Sequence, residues 1–210
     1  MPYPYSPRET LADASVHAIG LLFAITGGVA LQIYVVQTQD PTQIAAASVY
    51  AALLFLSLAI SAMYHLLPWE QTRPMFRRMD HAAIYLKIAG TYTPLVVLIG
   101  SAFGYVVLAG VWLVALIGVI GKLSFWGPDS RGSLSVYLGM GWASVLLIWP
   151  MTQALPLLAV GLIIGGGALY TLGTLIYRYP EMRYQNAIWH TFVLSASVCF
   201  FGAVWMSLSA

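Results

Sequence analysis

Charge is what this sequence has least of. Of 210 residues, nine are Lys or Arg and seven are Asp or Glu, 8% in all, giving a net charge of +2. A soluble domain carries about 25% charged residues to keep its surface in water, so an ordinary water-soluble domain and a disordered chain are both excluded. A surplus of two positive charges is too small to capture nucleic acid through its phosphates. The one cysteine, Cys199, rules out an internal disulfide and a cysteine-rich zinc knuckle. What is abundant is apolar side chain, 60% of the chain. The expectation is therefore an all-α, polytopic membrane protein, a single domain over residues 1–210 with a short tail at 1–14 and tight loops.

A spanning helix needs roughly 20 apolar residues. Seven such runs are present: Ser15–Val36, Ile44–Leu67, Asp80–Ile99, Tyr105–Leu123, Leu134–Pro150, Leu155–Tyr177 and Ala187–Leu208. Turn-forming residues fall between them, at Gln39-Asp40-Pro41, Pro68 to Met79, Gly100 to Gly104, Gly127-Pro128-Asp129, Thr152-Gln153 and Tyr179-Pro180-Glu181. The Gly100–Gly104 break is the weakest, since a fused or re-entrant pair of spans would read much the same. The first run is too long, and its flank too little basic, for a cleavable signal peptide. Eight basic residues, Arg8, Arg73, Arg77, Arg78, Lys122, Arg131, Arg178 and Arg183, all fall in the tail or in alternate loops. The positive-inside rule then predicts a cytoplasmic N-terminus and a C-terminus outside. A cell (plasma or inner) membrane location follows, with membrane lipids as the surroundings.

Ionisable groups inside hydrocarbon are expensive and need a partner or a purpose. They are few here: Asp13 and His17 open the first span, His65 closes the second, Asp80, His81 and Lys87 lie in the third, and His190 opens the seventh. With the predicted threading, His17, His65, Asp80 and His190 share one depth at the inner boundary. The pairs Asp13/His17, Ser61/His65 and Asn186/His190 are each i,i+4 and so share a helix face. Either the three histidines and Asp80 build a metal or catalytic site, or they are interfacial and packing residues. His81 points about 100° away from Asp80 and reads as interfacial. Lys87 reads equally as a counter-ion to Asp80 or a headgroup, or as the wall of a polar cavity. Gly161 and Gly165 form a GxxxG pair, expected to permit close helix contact within the bundle. Pro94 is expected to kink the third span.

The strings Ser61-Ala-Met-Tyr-His65, Met79-Asp80-His81-Ala-Ala-Ile-Tyr and Ile88-Ala-Gly-Thr-Tyr-Thr-Pro94 resemble the hemolysin III family. That family sits in the broader group of progestin and adipoQ receptors, related to alkaline ceramidases. The opening Glu9…His17-Ala-Ile-Gly20 and closing Ile188-Trp189-His190-Thr-Phe-Val-Leu extend the match over essentially the whole chain. The resemblance implies a seven-helix bundle with zinc near the cytoplasmic face. It makes His65 a ligand, and it places a His-x-x-x-His pair at the start of the last helix. The second of that pair is His190, but the first falls on Asn186, whose neutral amide is a poor substitute for an imidazole. Two further departures are Phe200, where the family often has a histidine, and Asp13, where an asparagine is common. Three outcomes follow: Asp80 enters the ligand set, His17 supplies the missing nitrogen, or no metal binds.

If zinc is held, the expected activity is hydrolysis of a lipid-like amide or ester. Asp80 would act as general base and Ser61 as a donor to the developing oxyanion. The alternatives are a pore-forming cytolysin, as the family name suggests, and a receptor for lipid or membrane state without catalysis. A pore through the monomer needs polar residues along its full depth, whereas the outer halves of these spans are nearly uniformly apolar.

Overall fold

The computed structural model describes residues 6–126 and 132–210, and among them every regular element is helical. Seven helices are long and apolar enough to cross a membrane. They are α1 (Pro7–Thr38), α2 (Pro41–Leu66), α3 (Arg73–Ile99), α4 (Ala102–Ser124), α5 (Gly132–Ala154), α6 (Leu157–Tyr177) and α7 (Gln185–Leu208). The predicted Gly127-Pro128-Asp129 turn and Arg131 lie outside the described residues.

The breaks follow from local chemistry. Ser6 caps α1 through a capping box with Glu9, with Pro7 in the first turn. At the α1–α2 turn the Asp40 carboxylate accepts from the backbone N–H groups of Thr42 (2.7 Å) and Gln43 (3.1 Å). This satisfies donors that a helix start leaves unpaired. The Gly100–Gly104 break is a true helix boundary. Gly100 ends α3 at φ 64°, a left-handed conformation that favours glycine. Ser101 then caps α4 by accepting from the Gly104 N–H at 3.0 Å.

Two expectations need correcting. The Pro68–Met79 loop is shorter than predicted, because α3 already starts at Arg73. Hydropathy marks where hydrocarbon begins, whereas a helix runs on into the polar interface with its backbone bonds intact. The GxxxG pair does not mediate contact inside the bundle either. A Cβ added at Gly161 or Gly165 meets nothing within 4 Å, whereas Gly166 is pressed against Phe200 and Gly173 against Phe192 and Trp189. The fifth span is one crossing, but a 3-10 stretch at Ala143–Leu147 interrupts it. Pro94 is carried inside α3.

Helix α1 packs between α2 and α7, while α3 packs against α2, α4 and α7, and α6 against α7. Helix α5 touches α3 and α6 only lightly and is the least buried of the seven, at 17% of its span. The α3–α4 contact is close. A Cβ on Gly118 would lie 2.6 Å from the Tyr85 ring, which is fully buried and backed by Tyr137 at 4.5 Å between ring centroids. The ring has little room to retreat. Gly118→Ala is therefore expected to lose about 1–3 kcal/mol, read as earlier thermal exposure of the lone Cys199 to a thiol-reactive dye.

Candidate metal centre

Because α7 returns to pack on both α1 and α3, the start of α1, the end of α2 and the starts of α3 and α7 meet at one end of the bundle. A backbone latch fixes the meeting: the Tyr184 N–H, just before α7, donates to Glu9 Oε1 on α1 at 3.0 Å. One turn further along α1 is Asp13, and its carboxylate is the centre of the cluster. His190 Nδ1 lies 2.7 Å from Asp13 Oδ1, His65 Nδ1 lies 3.6 Å from Oδ2, and His17 Nδ1 lies 3.5 Å from Oδ1. The imidazole centroids of His17 and His65 stand 4.3 and 4.5 Å from that of His190.

Asp13 is only 6% exposed and His190 8%. A buried carboxylate without compensation is strongly destabilising, so the imidazoles around it are a requirement of the fold as well as a resource for chemistry. The hydrogen-bond partners also set the tautomers. His17 Nδ1–H donates to the Asp13 backbone carbonyl at 2.9 Å, which leaves Nε2 as an acceptor facing Ser61 Oγ at 3.4 Å. With a single hydrogen to give, the Ser61 hydroxyl donates to His17 Nε2. Ser61 and the Asp80 carboxylate line the same cavity.

Asp13, His65 and His190 each offer a ligand atom within 4.8 Å of the others. The donor set fits a metal: two imidazoles and one carboxylate form a recognised catalytic zinc set with a fourth position open. The 3.6 Å between His65 Nδ1 and Asp13 Oδ2 is near the roughly 3.4 Å edge of a tetrahedron with legs of about 2.1 Å. The 2.7 Å His190–Asp13 approach is a hydrogen bond, of the kind by which a carboxylate orients a ligating histidine.

The other residues singled out in the sequence lie close by. Asn186 Nδ2 is 3.4 Å from His65 Nδ1, beside the triad. His17 packs on His190 and is tied to its own helix. Asp80, Ser61, His17 and His190 line a cavity of about 520 Å³, and His81 and Lys87 lie on the same wall. Asp13 and His65 face instead a recess of about 10 Å³ shared with Glu9, Tyr184 and Asn186. The cluster is therefore a partition between a large apolar chamber and a small polar one. The residue that sequence reasoning missed as a candidate ligand is Asp13. The signal for it was present in the i,i+4 pairing with His17 and in the acidic residue standing where an amide is common.

The Haemolysin-III related family matches residues 6–201. A Hemolysin-3 of Bacillus cereus is 32% identical over 94% of this chain and 90% of its own. A Hemolysin-3 homolog of Bacillus subtilis (strain 168) is 32% identical over 95% of this chain and 94% of its own. The Monocyte to macrophage differentiation factor of Homo sapiens is 27% identical over 97% of this chain and 87% of its own.

Proposed function

The chain belongs to the Haemolysin-III related family, and from that premise we propose that it is a membrane hydrolase acting on an amide or ester bond of a lipid-like substrate. Its Asp13–His65–His190 centre would hold a divalent metal, zinc by the nature of the donors. One observation supports this most: a carboxylate and two imidazoles from three different helices converge on one point, at the margin of a largely apolar chamber that also holds Asp80 and Ser61. The arginines at the starts of α1 and α3 and before α7 favour a cytoplasmic position for this end.

A bound metal would polarise the acyl carbonyl and make water at the site more acidic. The protein's own groups supply the rest. Asp80 takes a proton from the attacking water as its oxygen closes on the carbonyl carbon. The Ser61 hydroxyl, held only by a long contact to His17 Nε2, turns its hydrogen to the developing oxyanion. Asp80 then returns its proton to the departing nitrogen or oxygen. Apolar walls hold the acyl chain and exclude bulk water. The light packing of α5 gives a membrane-borne chain a lateral route between helices.

To test this, the purified protein in liposomes is given fluorescent N-acyl and O-acyl amphiphiles and fatty acid release is followed. Release should be abolished by a chelator and in His65→Ala. Release no higher than from protein-free liposomes, or release undiminished in His65→Ala, would refute the proposal.

A further inference from the structure

The cavity has a second polar feature that the metal centre does not use. Lys87 sits near the middle of α3 and lines the chamber. Along the helix it is about 10 Å from Asp80, where the apolar run begins, and about 18 Å from Ile99, too far for a four-carbon stem to lift the ammonium to either interface. It therefore remains at membrane depth. Its direct contacts among the described residues are neutral, and the Asp80 carboxylate acts on it only from further off. Nζ donates to Ser197 Oγ at 2.8 Å and stands 5.4 Å from the centroid of the Tyr170 ring. Ser197 also passes its own hydrogen to the Val193 carbonyl at 2.6 Å, so it serves Lys87 purely as an acceptor. Asp80 is two turns away on the same helix, about 10 Å along its axis, close enough for the two charges to act on each other but not in direct contact.

An ammonium at this depth is costly without an opposite charge. It has three hydrogens to donate, and Ser197 takes one. The remaining donors belong to a group that borders open volume. The chamber changes character at this level. Toward the metal centre its wall carries Asp80, Ser61 and His190. Beyond Lys87, in the opposite direction along α3, α6 and α7, come Leu95, Ile163 and Phe200, joined by Met151 of α5. That end is mostly apolar, with Thr91, Tyr92 and Ser144 the polar exceptions, and extends about 12 Å along α3 from Lys87 to Leu95.

We propose that Lys87 is an anion-binding residue that seats the carboxylate of a single-chain fatty acid, with the hydrocarbon tail running into the Leu95–Met151–Ile163–Phe200 end of the chamber. The ligand supplies an anion in direct contact, which the more distant Asp80 carboxylate does not, and the tail fills volume that water would occupy poorly. Ser197 and Tyr170 hold the ammonium in place. This inference stands on the lysine and the cavity, and does not depend on the metal or on turnover.

The test is displacement of labelled dodecanoate from the full chain in nanodiscs of zwitterionic lipid, with empty discs subtracted. Unlabelled dodecanoate should displace at a concentration about tenfold lower than dodecanol, and inorganic phosphate should displace nothing. Lys87→Met should bring the acid and the alcohol to equal potency, while Lys87→Arg retains the preference. The native comparison decides the matter even if a variant fails to fold. Equal potency of acid and alcohol on the native protein, a preference that survives Lys87→Met, or displacement by phosphate alone would overturn the proposal. A preference that vanishes on chelation and in His190→Ala but survives Lys87→Met would move the carboxylate to the metal centre. That would overturn this inference while leaving the hydrolase reading intact. Failure of hydrolysis with the lysine-dependent preference in place would do the reverse.

Discussion

Asp80→Asn is expected to slow lipid hydrolysis by about 10²–10⁴-fold while the protein keeps its full complement of metal. The side chain lines the chamber beside His190 and Ser61 but stands outside the Asp13–His65–His190 triad. An amide at this position has almost the same shape and leaves the Ser61–His17 contact in place. What it cannot do is take a proton from water. Rate and metal content are thus predicted to separate. Should both fall together in Asp80→Asn, the carboxylate would be holding the ion, and a different base would have to be found.

The second large effect is at Asp13. Loss of a carboxylate that orients a ligating histidine typically weakens a metal site by 10–100-fold, and Asp13 also offers an oxygen of its own. Asp13→Ala is therefore expected to weaken metal binding by about a hundredfold or more. It should also destabilise the metal-free protein by about 1–3 kcal/mol, because the His190 Nδ1–H loses its buried acceptor. Asp13→Asn separates the two roles. The amide oxygen can accept from His190 and preserve much of the stability, but it brings no negative charge to a cation. Competition against a chelating dye measures the first effect, and thermal unfolding of the metal-free protein measures the second. Unchanged affinity in both variants would remove Asp13 from the centre.

Much of this architecture was legible in the residues. Seven apolar runs with polar punctuation dictate seven crossings, because backbone groups in hydrocarbon must be satisfied within each helix. The Asp40-Pro41 and Gly100-Ser101 signals mark boundaries through capping chemistry that works at the level of a few residues. The convergence of His17, His65, Asp80 and His190 followed from depth alone, since helices that share an end bring their terminal residues together. Azimuth was not legible. Depth places Asp13, His17 and Asp80 at one level, but which of them faces His65 and His190 depends on how each helix is rotated by packing. That rotation put the Asp13 carboxylate against two imidazoles and turned Asp80 toward the chamber. The same limit misjudged Gly161 and Gly165, where the spacing specifies a smooth face and leaves open what covers it. Asn186 shows the complementary point. A position that the resemblance assigns to an imidazole carries an amide here, and a carboxylate on α1 faces the same histidine.

X-ray absorption at the zinc edge, on detergent-purified protein loaded with one equivalent of zinc and then desalted, tests the centre most directly. Close to one ion should be retained, with only nitrogen and oxygen neighbours at about 2.0–2.1 Å and the scattering pattern of two imidazoles, lost in His65→Ala and His190→Ala. Zinc that washes away from the native protein, or that persists with the same imidazole pattern in both variants, would contradict it.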